Sequence, residues 1–406
     1  MKRSYKFRLY PNHAEEEQLF WTLDMCRHTY NRLLEELNKQ SHPDRAILQA
    51  MLPIWKKENP ELKGVHSKTL QYECHRLFSS LHSLAELKKR GHKVGRLRFK
   101  GKHWFKTFTY NQSGFEIIKT DTRLSVLRLS KIGDIPIRLH RPIEGVVKQV
   151  TIKHTSSGEW YAYVQTNDGK PRPKKVPIER AVGIDVGLIH YAVDSDGRET
   201  KNPRWLKHSL KQLRREQRRL SRKEKGSMNR EKQRVKVAKV YEHVVNQRDD
   251  FLHKLSRYYV DNYDLIATED LDITGMLNKR GLNRGIYDAS WKKLNMMLSY
   301  KAVSAGKTHV VVEPRGTTQE CSRCGCIVVK TLDERVHKCP NCGLVIGRDH
   351  NSSRVILKRG YLKVGREPPE HTPAETGPLP RNILSDIKNP WQAQAMKQEA
   401  TPFTGW

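Results

Sequence analysis

The chain has 406 residues and a formal net charge of +32, with 76 Lys and Arg against 44 Asp and Glu. That length supplies two or three domains and a sizeable core, and the charge excess points to a polyanionic partner, nucleic acid above all. No apolar run is long enough to span a bilayer, and the basic start MKRSYKFRLY lacks the apolar stretch of a secretory signal. Four of the seven cysteines stand in CxxC pairs, which fits a reducing, cytoplasmic setting and a metal, and argues against a disulfide scaffold.

In chain order, SYKFRLY alternates polar and apolar residues as an edge or barrel strand does. Asn12 offers a helix cap with Glu15 three residues on. Leu19, Leu23, Cys26, Tyr30, Leu33 and Leu37 recur at three and four spacings, which predicts an amphipathic helix over residues 14–39. Residues 66–90 continue helical. Cys26 and Cys74 fall where core packing is expected. The first ninety residues therefore read as a strand and a small helical module without chemistry of its own.

Between Lys88 and Lys106 stand nine Lys or Arg and no acid, interleaved with Phe99, His103, Trp104 and Phe105. Charge engages phosphate and rings stack on bases, so Lys100, Lys102 and Lys106 are candidate nucleic-acid contacts. The strand-like pieces TFTYN, RLSVLRL, IPIRLH, VKQVTIKHT and EWYAYVQT then suggest a small antiparallel barrel. If the N-terminal strand closes it, residues 1–10 and 96–175 form the barrel and residues 11–95 are an insertion. KPRPKKVP, residues 170–177, has the composition of a linker.

Beyond the linker, AVGIDVG reads as a buried strand ending on Asp185, with Gly187 allowing the chain to turn. A carboxylate amid Val182, Ile184 and Val186 is expensive unless positive charge sits against it. YDLIATEDL likewise puts Glu269 at the end of an apolar run, and GRDHNSSRVIL puts Asp349 at the start of a helix. Three acids on the edges of three distant elements suggest one divalent-metal site. HYAVDSDGRE, with its turn at Asp196 and Gly197, makes a hairpin after the first acidic strand, as an RNase H-like sheet begins. Two long helical patterns follow. Leu206, Leu210, Leu213 and Leu220 mark the apolar edge of the first, and Val235, Ala238, Tyr241 and Val245 that of the second. From Arg204 to Arg248 there are 16 basic and 4 acidic residues, so a phosphate-binding surface is expected, with Arg214, Arg215, Arg218 and Arg219 on it.

CSRC and CPNC place Cys321, Cys324, Cys339 and Cys342 in two knuckles, each followed by a glycine, Gly325 or Gly343. Four thiolates make a closed, structural zinc site. Cys326 is a spare thiol that could compete as a ligand. For the acids, hydrolysis of a phosphodiester needs an activated water, a stabilised leaving oxygen and neutralised charge. Two Mg²⁺ ions roughly 4 Å apart supply all three, with Mn²⁺ as a substitute. Asp185 would bridge both ions, and Glu269 and Asp349 would each complete one. Asp270, Asp272, His350 and Asn351 are neighbours without an assigned role.

GIDVG, ATEDL, EPRGTTQECSRCG, CPNCG and RDHNSS, in that order, resemble the TnpB family of transposon-encoded nucleases, relatives of the type V CRISPR effectors. FRLYPN near the start and SYKA after Trp291 match it too. The sequence departs from the family at Gly347 and Leu97, where an aspartate and a proline are common. The resemblance implies an α+β multidomain protein: a wedge-like barrel, an inserted helical recognition module (11–95), and a RuvC nuclease domain. That nuclease would comprise residues 176–316 and 347–360, including a basic helical hairpin at 204–260, interrupted by a zinc-binding domain at 317–346. It also implies a monomer that cleaves double-stranded DNA beside a short transposon-adjacent motif, directed by a guide RNA encoded near its gene. On that match Asp185, Glu269 and Asp349 take the catalytic positions and the four knuckle cysteines bind zinc. It places the protein at the prokaryotic nucleoid. The rival expectations are a transposase acting directly on transposon ends and an RNA-guided repressor without cleavage. The proline-rich stretch 361–406, with PPEHTP and GPLP, is expected to be a disordered tail.

Overall fold

The computed structural model describes residues 1–277, 283–331 and 333–367. The chain divides into two units between Lys170 and Pro171, inside the KPRPKKVP stretch. Among the described residues no helix is long and apolar enough to cross a membrane.

The first unit is a near-closed barrel with helices. Strand β1 (Lys2–Leu9) is followed by helices α1 (His13–Lys39), α2 (Arg45–Glu58) and α3 (Ser67–Lys89). Six strands follow: β2 (Thr107–Asn111), β3 (Phe115–Ile118), β4 (Ser125–Leu129), β5 (Gly133–Arg138), β6 (Val146–His154) and β7 (Trp160–Asn167). They form one antiparallel sheet in the order β2-β6-β7-β1-β5-β4-β3. The alternation in β1 buries Tyr5, Phe7 and Leu9, and β1 sits between β7 and β5 as a central strand. Trp160, Ala162 and Val164 of β7 and Ile135 and Ile137 of β5 join them in the core. Each such large apolar side chain contributes about 1.5–3 kcal/mol on burial.

Asn12 and Glu15 close a reciprocal capping box, and all six residues expected on the apolar face of α1 are buried. Cys26 and Cys74 are both in the core. Helix α2, absent from the sequence reading, is started by Asp44, whose carboxylate accepts from the amides of Ala46 and Ile47, and it buries Leu48, Leu52 and Trp55. The core side of α3 holds a fully buried acid, Glu73, with the Arg76 guanidinium 3.4 Å away. Burial pushes that carboxyl up to about 7, with Arg76 opposing.

In the second unit, β8 (Ala181–Val186), β9 (His190–Asp194) and β10 (Glu199–Lys201) form an antiparallel meander. Gly197, at φ 83°, makes the β9–β10 turn. Helices α4 (Trp205–Ser221) and α5 (Met228–Asn262) lead to β11 (Leu265–Glu269), which lies parallel to β8. The short helices α6 (Ile273–Met276) and α7 (Asn283–Ala289) and helix α8 (Trp291–Ser304) precede β12 (Thr308–Val312), parallel to β11. The result is a mixed five-stranded sheet in the order β10-β9-β8-β11-β12. A small hairpin, β13 (Val336–Lys338) and β14 (Val345–Gly347), precedes the final described helix, α9 (Arg348–Lys363).

Helices cover both faces of this sheet. Val182, Ile184 and Ile266 pack with Phe251, Leu255 and Tyr259 of α5 and Leu294 and Leu298 of α8. On the opposite face Ile356 of α9 packs with Ala267 and Val312. Helix α9 lies so close that a Cβ on Gly183 would stand 2.1 Å from the Ser353 carbonyl oxygen. A Cβ on Gly360 would stand 2.6 Å from the Ala267 Cβ. These two glycines set the separation between helix and sheet. The helix runs to Lys363, three residues past the edge drawn at 360, and residues 368–406, with both proline motifs, lie outside the described residues.

Two sequence expectations for α4 and α5 are corrected. The helix α5 buries Val240 and Val244, while Tyr241 and Val245 are exposed, so the packed face lies one residue away from the expected one. On α4 the buried residues are Leu213 and an acid, Glu216, whose carboxylate accepts from Gln233 of α5 at 2.8 Å.

Candidate active site and metal centre

Asp185 is the fifth residue of β8, Glu269 the last of β11, and Asp349 the second of α9. The parallel register pairs Ile184 with Thr268, so Asp185 and Glu269 are the next residues along neighbouring strands. Helix α9, seated at Gly183, brings Asp349 to the same end. The structure thus brings the three sequence-distant acids together. Burial, the Glu269 carboxylate and the Asp349 carboxylate, in that order, push the Asp185 carboxyl well above the usual range, and Arg348 opposes them. Glu269 is 7% exposed, and burial raises its carboxyl too, against the Thr317 hydroxyl and Arg359. Asp349 accepts from the Arg348 guanidinium at 3.0 Å.

Three hard, partly desolvated carboxylates in mutual repulsion form a donor set suited to a divalent cation. Among the described residues, the four cysteines are a group whose ligand atoms all lie within 4.8 Å of one another.

The Glu269 side chain is held by Thr317, whose hydroxyl donates to Oε1 at 2.6 Å, and its main chain by Asn295, whose amide donates to the carbonyl at 3.1 Å. Neither Thr317 nor Asn295 was legible as a site residue, because a hydroxyl or amide 48 or 26 residues away carries no local periodicity. Of the unassigned neighbours, Asp272 caps α6 through the Gly275 amide and Asp270 is exposed. A His350 ring nitrogen lies 3.1 Å from the Ser195 carbonyl, and Asn351 is fully buried.

The sulfurs of Cys321, Cys324, Cys339 and Cys342 lie within 4.8 Å of one another, with Cys321 to Cys342 at 3.6 Å and Cys324 to Cys339 at 3.5 Å. Tetrahedral zinc with bonds of about 2.3 Å requires sulfur–sulfur edges of about 3.8 Å, whereas a disulfide is about 2.05 Å. The spacing therefore fits a metal. Gly325 and Gly343 adopt φ of 75° and 72° and donate their amides to the carbonyls of Cys321 and Cys339, closing each knuckle. Cys326 stays outside the set of four, its carbonyl accepting from the Cys321 amide. The Asn341 side chain and nearby amides bring the Cys324 thiol down to about 6.

The candidate nucleic-acid residues divide. Arg214, Arg215, Arg218 and Arg219 are all exposed on α4. Arg215 and Arg219, however, both donate to Glu216 of the same helix, at 3.2 and 3.0 Å, and so hold the carboxylate that accepts from Gln233 of α5. In the first unit the Lys100 backbone is docked on Asn31 of α1 by two hydrogen bonds of 2.7 and 3.0 Å. Lys102 is exposed, and the Lys106 ammonium donates to Ser156 at 2.6 Å. Phe99 and Trp104 are exposed, at 60% and 85%, while Phe105 belongs to the core.

Three family models match the chain: "Probable transposase" over residues 153–280, "Cas12f1-like, TNB domain" over 291–356, and "Helix-turn-helix domain" over 1–42. Residues 1–42 here contain β1 and the long helix α1. A protein of Streptomyces pristinaespiralis named "Putative RNA-guided DNA endonuclease" is 31% identical over 375 residues, covering 89% of this chain and 90% of that protein. "Putative RNA-guided DNA endonuclease InsQ" of Escherichia coli K12 is 31% identical over 386 residues, covering 89% and 93%. Among solved structures, the Cas12f1–sgRNA–target DNA complex is similar over 86% of this chain and 83% of its own, with a TM-score of 0.56 at 14% identity, a likeness of fold.

Proposed function

Because the chain belongs to the TnpB (IS605 OrfB) family of RNA-guided DNA endonucleases, relatives of Cas12f, we propose that Asp185, Glu269 and Asp349 are the acids that cut its target DNA. The protein is an RNA-guided DNA endonuclease of a transposable element, and its partners are a guide RNA and the DNA that the guide selects. Cleavage of double-stranded DNA beside a short transposon-adjacent motif is the finer reading. The observation that carries the catalytic assignment is the convergence of three carboxylates, Asp185 and Glu269 desolvated and Asp349 beside them, at one end of the mixed sheet, on two neighbouring parallel strands and the helix across them. An antiparallel meander followed by two parallel strands, with helices on both faces, supports reading that domain as RNase H-like, of the RuvC type.

The donor set fits Mg²⁺ or Mn²⁺, which when bound supplies an activated water and stabilises the leaving oxygen. The chain's own part is positional. Asp185 and Glu269 present carboxylates from a rigid pair of strands, and Asp349 presents a third from the first turn of α9, where the helix dipole favours negative charge. The exposed arginines of α4 attract the phosphate backbone. A guide–target duplex is held by backbone and shape, which suits an excess of cations better than base-reading side chains. All three acids come from one chain. The four cysteines would hold one structural Zn²⁺.

The test separates cutting from holding. Asp185→Ala removes one of three acids and no basic surface, so guided cleavage in Mg²⁺ should fall below detection while RNA and guided DNA binding persist. Full cutting by that variant would move the active site elsewhere. A loss of guided binding alongside cutting would show that Asp185 supports the fold instead of the chemistry.

A further inference from the structure

Thr317 lies at the start of the loop that leaves β12 for the cysteine knuckles, and it is 2% exposed. Its hydroxyl carries one proton and has two acceptors in reach, Glu269 Oε1 at 2.6 Å and the Pro314 carbonyl at 3.0 Å. An ionised carboxylate is the stronger acceptor and takes the proton. The hydroxyl therefore fixes one Glu269 oxygen and leaves the other, Oε2, directed by default. Thr317 cannot drift, because the loop around it is fastened to α9 at two places. The Asn351 side chain, fully buried, donates to the Glu320 carbonyl at 2.7 Å and accepts from the Ser322 amide at 2.9 Å, straddling Cys321. Eight residues along α9, Arg359 donates to the carbonyls of Glu313 and Arg315, each at 2.8 Å, and to the Glu320 carboxylate at 2.7 Å. The same helix carries Asp349.

We propose that Thr317 is a positioning residue for Glu269, and that the four-cysteine module, locked to α9 through Asn351 and Arg359, holds Thr317 in register with the acids. This rests on the reading of Glu269 as a ligand of the catalytic cation. It assigns the module a task besides any contact with nucleic acid: one element sets both the orientation of Glu269 and, through α9, the place of Asp349. Pre-orientation of a ligand by a neighbouring hydrogen bond raises metal affinity, and its removal typically costs about 10- to 100-fold.

The experiment uses the full-length protein bound to its guide RNA and titrates Mn²⁺, with bound and free ion read by electron paramagnetic resonance. Thr317→Val keeps the shape and removes the hydroxyl. It should raise the Mn²⁺ concentration for half-filling by about tenfold, with the zinc content and target-DNA affinity of the unaltered protein. Thr317→Ser, which restores the hydroxyl, should return the titration to its original midpoint. Thr317→Ala provides the same comparison if valine crowds the site. An unchanged midpoint in the hydroxyl-free variants, or a serine variant as weak as valine, overturns the positioning role. Glu269→Gln separates the two levels: if it too leaves Mn²⁺ binding unchanged, the assignment of Glu269 as a ligand fails, and not merely the role of Thr317.

Discussion

A methyl group on Gly183 tests whether α9 sets the active site. An alanine Cβ there would stand 2.1 Å from the Ser353 carbonyl oxygen, 2.5 Å from the Leu357 amide nitrogen and 2.9 Å from the Leu357 Cβ. Ordinary contact begins near 3.4 Å, so the helix has to retreat by 3.4 minus 2.1, about 1.3 Å. The two nearest obstructing atoms are main chain and cannot swing aside. Overpacking of this kind costs about 1–3 kcal/mol, or roughly 2–4 °C of melting temperature for each kcal/mol in a domain of this size. The catalytic cost is larger, because a misplacement of about 1 Å at a reacting centre lowers the rate on the order of 100-fold. Guided cleavage under single-turnover conditions should therefore fall by that factor while guide-RNA binding stays intact. Gly360→Ala provides an internal control: its clash is with the Ala267 Cβ alone at 2.6 Å, the next neighbours being at 3.6 and 3.9 Å. Adding Ala267→Gly should remove the clash and recover most of the lost stability. A Gly183→Ala protein that cuts at the original rate with an unchanged melting temperature would refute the placement of α9, and with it the approach of Asp349 to Asp185.

Zinc analysis tests the knuckles: one ion per chain is expected, Cys321→Ser or Cys339→Ser should abolish it, and a zinc-free unaltered protein would sink the assignment. On α4, Arg214→Ala with Arg218→Ala should reduce the slope of log affinity against log salt by roughly 1.4–1.8 and leave stability unchanged. Arg215→Ala with Arg219→Ala should lower the melting temperature as well, because Glu216 loses both ion pairs; equal behaviour of the two pairs would contradict the division. For Glu73, burial raises the folded carboxyl from 4.5 to about 7, so its contribution is fully present below pH 4.5 and is lost as pH rises through 7. Glu73→Gln should therefore gain about 3 kcal/mol relative to the unaltered protein between pH 4.5 and 8, and a pH-independent difference in denaturation midpoints would exclude this.

The acids and the knuckles were legible because each interrupts a pattern. Asp185 and Glu269 are charges ending apolar runs, and paired CxxC motifs leave few other readings. What escaped depended on what lies across the fold. Strand β3 has four residues, too few to show a period, and α2 draws its apolar face from only Leu48, Leu52 and Trp55. The α5 stripe was placed one residue off because Val245 is as apolar as Val244 and Tyr241 offers a large ring beside Val240, and only the partner helix chooses between them. Glu216 could not be read as buried, since its burial depends on two arginines and Gln233 closing over it. Gly187 drew notice as a turn, yet the glycine that shapes the site is Gly183, in the middle of the strand. Its need for a missing Cβ exists only once a helix 170 residues later lies on it (353 minus 183).

That separation has a consequence for the order of events on the ribosome. Strand β8 emerges early, but the face bearing Gly183, Ala267, Val310 and Val312 has no cover until α9 has been made. At about 5–20 residues per second, the intervening chain takes roughly 10–35 s to synthesise. Throughout that interval the sheet can only be closed on the side of α5 and α8, and the third acid does not yet exist. The second face of the sheet is thus the last to close, and Asp349 arrives on the very element that closes it.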